Sequence, residues 1–254
     1  MREMRLLSAA PEGLFGGGDS GPSKISPLKV AEIFYSVQGE GMLVGVPSVF
    51  LRLSGCNLRC KWCDTPYASW APEGDDWMLG GLLGDVRGRW STHVVVTGGE
   101  PMIAPMISVL TERLKELGLH ITIETAGTVY QPVTCDLMSI SPKLANSTPY
   151  RREGGKWAAQ HERLRHQPEV LKKLMGEHEY QLKFVVSAEE DLKEIETIIQ
   201  ETGADRSRVM LMAEGTTAEV IYERAAWIVE ICKRERFRYS PRLHIDIWGD
   251  KRGV

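Results

Sequence analysis

The feature that most restricts the fold is an alternation of short apolar segments with longer amphipathic ones, repeated about six times along the chain. The predicted strands cover 29–37, 47–53, 93–96, 119–124, 135–140, 180–186 and 208–212, with a last extended piece at 243–248. The predicted helices cover 79–90, 101–117, 156–175, 188–202 and 217–234. Strands that alternate with helices indicate an α/β fold with a parallel sheet and right-handed crossovers, either barrel-like or doubly wound.

The composition is that of a globular protein. Of the 254 residues, 43% are apolar and 26% are charged, which is ordinary for a chain with ample core. The net charge of −3 gives no support for binding nucleic acid or an anionic membrane, and no apolar run approaches the ~20 residues of a membrane span. An odd number of cysteines without a recognisable secretion signal predicts a cytoplasmic protein.

Residues 1–27 are expected to form a flexible extension ahead of a single domain over 28–254. This extension is rich in Gly, Pro and Ser and contains few residues that form a core. Core-forming residues become frequent from Leu28, where the first strand is expected to begin.

Glycine-rich or polar turns follow the predicted strands. They read QGEG at 38–41, GCNLRCKWCD at 55–64, TGGEP at 97–101, ETAGT at 124–128, SPK at 141–143 and LMAEG at 211–215. In parallel α/β folds the carboxyl ends of the strands meet at one edge of the sheet, and binding sites form there. We therefore expect these turns to converge on one site.

The turn at 55–64 holds three cysteines in the pattern C-x3-C-x2-C, namely Cys56, Cys60 and Cys63. A [4Fe–4S] cluster held by three thiolates leaves one iron open, and S-adenosylmethionine (SAM) is a ligand that supplies radical chemistry at such an iron. Two alternatives remain from the pattern alone. One is a zinc site completed by Cys135, Cys232 or a histidine, and the other is a fragment of a disulfide framework.

Several single residues near these turns have two interpretations each. Trp62 can pack on an adenine ring or in the core. Arg52 lies in an apolar strand, where a charge needs a partner, and that partner could belong to the site or to a surface salt bridge. Glu40 and Glu124 end strands at the expected site and could exchange protons, and the hydroxyl of Thr65 could bind a hard cation or only stabilise a turn.

Gly99 has a functional interpretation, and three charged residues have both a structural and a functional one. Gly99 lacks a side chain beside the expected site, so a ligand can approach the backbone. Lys143 and Lys183 could neutralise a ligand carboxylate or extend along the surface. Glu100 could bind a ligand amine or begin a helix.

Together these motifs carry a resemblance to a known family. C-x3-C-x2-C with an aromatic residue before the last cysteine, together with GGEP, resembles the radical SAM superfamily. The segments EIFYSVQGEG, FLRLSGCNLRCKWCDT, VTGGEPM, IETAGT, SPK, YQLKFVV and LHIDIWGDKRGV resemble the 7-carboxy-7-deazaguanine synthase family. The resemblance runs from about residue 29 to residue 254 and is loose over 70–92 and 145–179.

This resemblance implies an enzyme of the 7-deazapurine (queuosine) pathway, a carbon–nitrogen lyase. Its substrate would be 6-carboxy-5,6,7,8-tetrahydropterin, and a radical ring contraction with loss of ammonia would give 7-carboxy-7-deazaguanine. The implied cofactors are a [4Fe–4S] cluster, SAM and Mg²⁺. The implied fold is a shortened and modified (β/α)6-type partial barrel, and the implied partners are a flavodoxin or ferredoxin type electron donor and a second copy of the chain.

The resemblance also implies site residues. The cluster ligands would be Cys56, Cys60 and Cys63, and Thr65 would bind Mg²⁺. The SAM contacts would be Trp62, Cys63, Asp64, Gly99, Ser141, Pro142, Lys143, Met212, Ala213, Glu214 and Gly215. The substrate contacts would be Val37, Gln38, Gly39, Arg52, Thr97 and Val254, and Glu40 and Glu124 would be the acid–base candidates.

Two other functions stay open from the sequence. A glycyl-radical activating enzyme would share the cluster but act on a protein, and it would need a groove for that partner. A non-catalytic metal-binding module would need only the cysteines. The QGEG turn and the charge of Arg52 favour a small substrate with a carboxylate over a protein substrate. The repeated polar turns at the strand ends argue against a non-catalytic module.

Overall fold

A computed structural model describes residues 26–254, in which nine strands form one sheet in the order β3-β1-β2-β4-β5-β6-β7-β8-β9. The strands are β1 (Leu28–Val37), β2 (Pro47–Leu53), β3 (Asp75–Trp77), β4 (His93–Gly98), β5 (His120–Thr125), β6 (Leu137–Ile140), β7 (Tyr180–Val186), β8 (Val209–Ala213) and β9 (Arg238–Tyr239). The extension predicted over 1–27 lies outside the described residues, apart from Ser26 and Pro27.

The strands from β2 to β9 pair in parallel wherever they are neighbours, which confirms the predicted parallel α/β sheet. The exception is β1, which pairs antiparallel with both β2 and β3. Because β1 runs against β2, the QGEG turn leaves it at the opposite edge from the carboxyl end of β2. The connection at 38–46 then leads the chain into β2.

Within residues 26–254, eight α-helices connect or follow these strands. They are α1 (Pro66–Ser69), α2 (Leu79–Gly88), α3 (Ile107–Glu116), α4 (Ala158–Arg165), α5 (Pro168–Glu177), α6 (Asp191–Thr202), α7 (Ala218–Glu235) and α8 (Leu243–Trp248). Within residues 26–254, none of these helices has the length and apolar content needed to cross a bilayer.

Side chains alternate between the two faces of the strands, as a pleated backbone requires. The face under the helices is aliphatic and buried, with side chains such as Leu51, Val96, Ile123, Phe184 and Leu211. The opposite face carries the polar side chains Arg52, Thr97, Glu124, Ser139 and Lys183. The sheet therefore has a packed outer face and a polar inner face on which a ligand can bind.

Hydrogen bonds from the connection after β1 cross to the far side of the sheet. The amide of Gly41 donates to Ser240 Oγ at 2.9 Å, and the amide of Met42 donates to Gln181 Oε1 at 2.7 Å. A backbone bond from Leu243 to Gly39 adds a third link at 2.9 Å. These contacts curl the sheet into a partial barrel whose open end is closed over by the connection.

Two predicted helices are each interrupted by a proline. The helix predicted over 101–117 is a 3₁₀ turn at Pro101–Ile103 followed by α3, because Ala104 precedes Pro105 and adopts an extended conformation with ψ of 127°. The helix predicted over 156–175 is divided into α4 and α5 at Pro168 for the same reason. Both prolines are in the sequence, so both helix interruptions were predictable from it.

The extended piece predicted over 243–248 was wrong, because this segment is the helix α8. The sequence LHIDIW alternates as a strand would, but a six-residue run cannot separate a strand from a single helical turn. In the structure only Ile245 of the segment is buried, and Ile247 is 52% exposed. Tertiary contacts of this segment with the connection after β1 therefore decide its conformation.

Candidate active site

A cavity of about 620 Å³ opens at the carboxyl ends of the strands, where the sequence predicts the site. Most of the predicted site residues line it: Val37, Gln38, Gly39, Glu40, Arg52, Cys56, Cys60, Trp62, Cys63, Asp64, Thr65, Thr97, Gly99, Glu124, Ser141, Lys143, Met212 and Val254. Pro142, Ala213, Glu214 and Gly215 are outside the lining. The side chain of Glu214 instead forms an ion pair with Arg224 on α7, at 2.5 Å.

The three cysteines of the predicted cluster motif all face this cavity as free thiols. They pack with Leu58, Trp62, Ala126 and Leu164 in a small apolar cluster of their own, separate from the main core. Burial raises the pKa of the Cys56 and Cys60 thiols to about 12. A thiolate at either position would therefore need a bound metal to stabilise it.

The alternative ligands considered for a zinc site lie elsewhere. Cys232 is buried in the main core, where its thiol contacts the carbonyl oxygen of Arg238 at 3.4 Å. Cys135 lies before β6 and contacts His178 Nδ1 at 3.6 Å. Neither residue lines the cavity, so neither completes a metal site with the cysteine motif.

The surroundings of Cys63 suit a bound cofactor. Trp62 is fixed by a hydrogen bond from its indole Nε1 to the carbonyl oxygen of Asn146, at 3.1 Å. Lys143 donates to Ser141 Oγ at 2.8 Å, and its Nζ lies 6.0 Å from the centre of the Trp62 ring. An aromatic ring, a hydroxyl and an ammonium group therefore lie side by side next to the cysteines.

Gly99 and Glu100 hold the TGGEP turn against the cysteine loop. A Cβ at Gly99 would lie 2.2 Å from the carbonyl oxygen of Gly55, so no larger residue fits there. The buried Glu100 carboxylate accepts hydrogen bonds from the amides of Met102 and Ala126, at 3.1 and 2.8 Å. Of the two interpretations of Glu100, the structure supports the one in which it begins a helical turn.

Glu40 is the centre of a buried ion cluster. Lys183 and Arg242 both form ion pairs with its carboxylate, the latter at 3.1 Å through Nε. Burial alone would raise the pKa of Glu40, but these two cations outweigh it and hold the pKa well below its usual range. The carboxylate is therefore charged at any physiological pH. The side chains of Lys183 and Arg242 are only 6% and 7% exposed.

Arg242 links three turns that are far apart in the sequence. Besides Glu40, its guanidinium donates to Asp64 Oδ2 at 2.5 Å and to the carbonyl oxygen of Gly215. Burial alone would lower the pKa of Arg242, but the carboxylates of Glu40 and Asp64 raise it by more than burial lowers it. The pKa therefore lies above its usual value, and the guanidinium stays charged. The QGEG turn, the cysteine loop and the LMAEG turn are thereby held at one point.

His244 reaches the cavity because the facing residue is glycine. A Cβ at Gly39 would lie 2.0 Å from His244 Nδ1. The ring Nε2 lies 4.0 Å from the Glu40 carboxylate. Burial lowers the pKa of His244 despite that carboxylate, which favours the neutral imidazole.

Arg52 has a partner within the protein. Its Nε donates to Glu32 Oε1 at 2.6 Å, across the register pair that joins β1 and β2. The hydroxyl of Tyr67 donates to the same oxygen at 2.7 Å. Between residues 26 and 254, no hydrogen bond involves the two terminal nitrogens of Arg52, which lines the cavity.

The other predicted substrate and acid–base residues surround Arg52. Thr97 is its register neighbour on β4 and is buried. Glu124 lies 3.9 Å from Lys183 and is 35% exposed, so it is the more accessible of the two predicted carboxylates. Gln38 is buried, and its amide donates to Ser48 Oγ at 3.0 Å.

The hydroxyl of Thr65 is not used by the helix that follows it. Thr65 is the residue before α1, but its side chain makes no capping hydrogen bond. Its Oγ1 lies 3.7 Å from Cys63 Sγ. The hydroxyl is therefore available to a ligand in the cavity.

The last residues of the chain close one side of the cavity. After α8 the segment 250–254 lines it, ending at Val254. Arg252 holds this segment by an ion pair with Glu32 at 3.1 Å, and its guanidinium stacks 3.8 Å from the centre of the Tyr67 ring. The partner of Arg52 is thus also the anchor of the C-terminal segment.

Sequence reasoning missed the residues that organise this site. Glu32, Tyr67, Arg242 and Arg252 were not predicted, and His244 and Lys183 were weighed without a role being fixed. A charged residue within a short apolar segment was the available signal, and it applies to Glu32 as it does to Arg52. Which charges pair could not be read from positions about 200 residues apart.

Known proteins resemble this chain over most of its length. The family model described as Radical SAM superfamily matches residues 51–165. A 7-carboxy-7-deazaguanine synthase of Halobacterium salinarum is 42% identical over 245 residues, covering 92% of this chain and 93% of the relative. A protein of the same name from Rhodopirellula baltica is 42% identical over 238 residues, covering 93% of this chain and 92% of the relative.

The crystal structure of QueE from Escherichia coli has the same fold. It superimposes with a TM-score of 0.66 at 24% identity, covering 85% of this chain and 94% of that one. A structure of TYW1 with a lysine-pyruvate adduct bound matches less closely, with a TM-score of 0.51 at 13% identity over 72% of this chain and 73% of that one. These likenesses concern the fold alone.

Proposed function

The chain belongs to the 7-carboxy-7-deazaguanine synthase family of radical SAM proteins, and we propose on this basis that it converts 6-carboxy-5,6,7,8-tetrahydropterin into 7-carboxy-7-deazaguanine. The conversion contracts a ring and releases ammonia, so the enzyme is a carbon–nitrogen lyase of queuosine biosynthesis.

The observation that carries the proposal is the shared cavity. Three free cysteines line it, and so does Arg52, which lies beside Thr97 and whose terminal nitrogens make no hydrogen bond within residues 26–254. A cluster at the cysteines and a carboxylate at Arg52 would therefore meet within one enclosed space. A groove that bound a protein substrate would not need this half-buried cation.

The residues present fit the implied cofactors. Cys56, Cys60 and Cys63 would hold a [4Fe–4S] cluster and leave one iron for SAM. Trp62 and Lys143 offer a ring face and a cation to the adenosine and the carboxylate of SAM. When bound, the cluster and SAM supply the radical that starts the reaction.

We assign different roles to the two candidate carboxylates. Glu40 is held charged by Lys183 and Arg242, so it suits a fixed acceptor for the N–H groups of the pterin edge. Glu124 is less buried and has its nearest cation at 3.9 Å. It is therefore the group that we expect to accept or return a proton.

The Mg²⁺ proposal rests on Thr65, and Thr65→Ala tests it. We expect this variant to keep its cluster but to need at least about tenfold more Mg²⁺ for half-maximal activity, a loss typical even of an outer contact to a metal. The matched control is Ser69→Ala, which removes a hydroxyl 3.1 Å from Cys63 Sγ. An unchanged Mg²⁺ titration in Thr65→Ala would place the ion elsewhere.

The contacts of Arg252 predict that the C-terminal segment retains the substrate. Arg252→Ala removes one exposed ion pair, one half-buried ion pair and a stacked cation, together worth about 1–2 kcal/mol. We expect the KM for the pterin to rise about tenfold and carboxypeptidase to trim the chain faster. Glu73→Gln removes only the exposed pair, at 3.1 Å, and should change the KM less than about twofold.

One experiment tests the proposed function as a whole. Protein reconstituted anaerobically with iron and sulfide is incubated with the carboxypterin, SAM, Mg²⁺ and dithionite, and 7-carboxy-7-deazaguanine is measured by mass spectrometry. Release of 5′-deoxyadenosine without this product would point to another radical SAM reaction. We further propose a single domain over 28–254 that forms a homodimer, which sedimentation of the same sample measures.

A further inference from the structure

A buried histidine lies behind the cysteine loop, outside the lining of the cavity. His161 is on α4, in the stretch 145–179 where the family resemblance is loose, and it is only 1% exposed. Its ring contacts backbone and side-chain groups of two other turns. Because buried polar groups in proteins are hydrogen-bonded, these partners show what the ring holds in place.

The hydrogen bonds of His161 form one directed chain. The backbone amide of Arg59 donates to Nδ1 at 3.1 Å, and since an amide N–H can only donate, Nδ1 carries no proton. The proton is therefore on Nε2, which donates to Ser147 Oγ at 2.8 Å. The Ser147 hydroxyl donates in turn to the carbonyl oxygen of Leu144 at 2.6 Å. Hydrogen bonds that run in one direction strengthen one another, so the chain holds the cysteine loop against the turn that follows Lys143.

The imidazole of His161 keeps this arrangement at physiological pH. Burial lowers the pKa of His161 to about 4, so the ring is neutral. A protonated ring would donate from both nitrogens and would lose the bond from the amide of Arg59. That amide is therefore committed to His161 rather than to a ligand of the cysteines.

The backbone on the other side of Cys60 is held by the 3₁₀ turn Ala145–Ser147. The amide of Lys61 donates to the carbonyl oxygen of Ser147 at 2.7 Å. Within residues 26–254, the amide of Cys60 itself makes no hydrogen bond. Of the three successive amides at 59–61, the outer two are therefore withheld by the protein, and the one between them is left for a ligand.

The helix that carries His161 also covers the cysteine loop with apolar surface. Leu164 lies three residues further along α4, on the same side of the helix. It packs against the apolar cluster that contains Leu58 and Cys60. One helix thus supplies both a hydrogen-bond acceptor and apolar cover to the backbone around Cys60.

We propose that His161 is a positioning residue for the cluster, and that through the Arg59 amide and Ser147 it keeps the reduction potential of the cluster low. This inference rests on the proposed function, because it needs a [4Fe–4S] cluster at the three cysteines. A cluster that takes up one electron from an external reductant gains one negative charge, and no atom is transferred. Each further N–H dipole or water molecule beside its sulfurs favours the reduced form and raises the potential. His161 withholds one such dipole, and Leu164 excludes water.

The test replaces one ring nitrogen at a time. His161→Asn keeps an oxygen near the position of Nδ1 that can accept from the Arg59 amide, whereas the amide of His161→Gln reaches the position of Nε2 and leaves Arg59 unpaired. The potential of each reconstituted variant is measured without SAM or substrate, by a titration with redox mediators that follows the EPR signal of the reduced cluster. We expect His161→Gln to shift the reduction equilibrium about tenfold towards the reduced form, which is about 59 mV for one electron. His161→Asn should stay within about twofold of the parent.

A control variant and a second readout separate this role from a purely structural one. His166→Gln is the matched control, because His166 directly follows α4 and its ring lies 2.7 Å from Glu201 instead of contacting the loop. This variant should have the potential of the parent. Hydrogen exchange of the oxidised, reconstituted protein should show the Arg59 amide protected in the parent and in His161→Asn, and exchanging at least about tenfold faster in His161→Gln.

A potential in His161→Gln that is unchanged or lower overturns the assignment, as does an equal rise in His161→Asn or His166→Gln. If His161→Gln does not fold or does not hold its cluster, Ser147→Ala decides. It removes the acceptor of the Nε2 proton but keeps the Lys61 contact, which uses the carbonyl oxygen of Ser147. We expect a rise of about threefold in the reduction equilibrium of this variant, and the absence of a rise overturns the assignment too. A parent that binds no iron–sulfur cluster contradicts the proposed function instead.

Discussion

Cys60→Ala should give a colourless protein that releases no 5′-deoxyadenosine and makes no product. Cys60 is the most buried of the three cysteines that face the cavity, and burial raises the pKa of its thiol to about 12. A bound metal would stabilise the thiolate, so on the proposed assignment alanine removes one of the three protein ligands of the cluster. The measurement is iron and sulfide content after anaerobic reconstitution, together with the visible spectrum. The parent should bind about four irons per chain.

Cys135→Ala is the control for this prediction. Cys135 is half-buried, lies before β6 and does not line the cavity. This variant should keep its colour, iron content and activity. Iron content equal to the parent in Cys60→Ala, or stoichiometric zinc without iron in the parent after reconstitution, would contradict the assignment of the cluster.

The sequence allowed the catalytic edge of the sheet to be predicted better than its internal contacts. Parallel strands place their carboxyl ends together whatever their exact register, so the turns TGGEP and SPK could be expected to meet. The QGEG turn follows the antiparallel strand β1 and reaches the cavity only through the connection at 38–46, which that rule does not predict. The cysteine motif could be recognised without knowledge of the fold, because its three cysteines lie within eight residues. Both inferences rest on local sequence, which a single chain shows directly.

The ion pairs within the site could not be predicted in the same way. Arg242 meets Glu40 and Asp64 only because α8 lies across the cavity, and its alternating sequence had favoured a strand. Glu32 meets Arg52 through the antiparallel register of β1 and β2, where alternation identifies the strands but not their partners. Pairing between distant residues is a property of the fold rather than of the local sequence.

The pairing of Arg52 with Glu32 changes what this arginine implies. A charge in an apolar strand needs a partner, and Glu32 satisfies that need without any ligand. The pair uses only Nε, however, and Arg52 lines the cavity. Glu32 therefore orients the guanidinium so that its two terminal nitrogens can bind a substrate carboxylate as a fork.

Arg52→Lys should accordingly fold, bind the cluster and SAM, and still cleave SAM, but make product about 100-fold more slowly. Lysine keeps the charge and can still pair with Glu32, but it cannot hold Glu32 and a carboxylate in one plane. A loss of about 2.7 kcal/mol in positioning the pterin near the radical corresponds to that factor. The measurement is product formed per 5′-deoxyadenosine released in the same anaerobic reaction, which should fall with the rate.

Glu32→Gln tests whether Glu32 acts on Arg52 by orienting its guanidinium or by its negative charge. The amide still accepts the bond from Arg52 Nε but no longer attracts the cation, and it also weakens the ion pair to Arg252. We expect a smaller loss in this variant, about tenfold, seen mainly as a higher KM for the pterin because the tail is loosened as well. If Arg52→Lys forms product at nearly the parent rate while Glu32→Gln is strongly impaired, the arginine serves only to anchor the tail through Glu32, and the carboxylate of the substrate is bound elsewhere in the cavity.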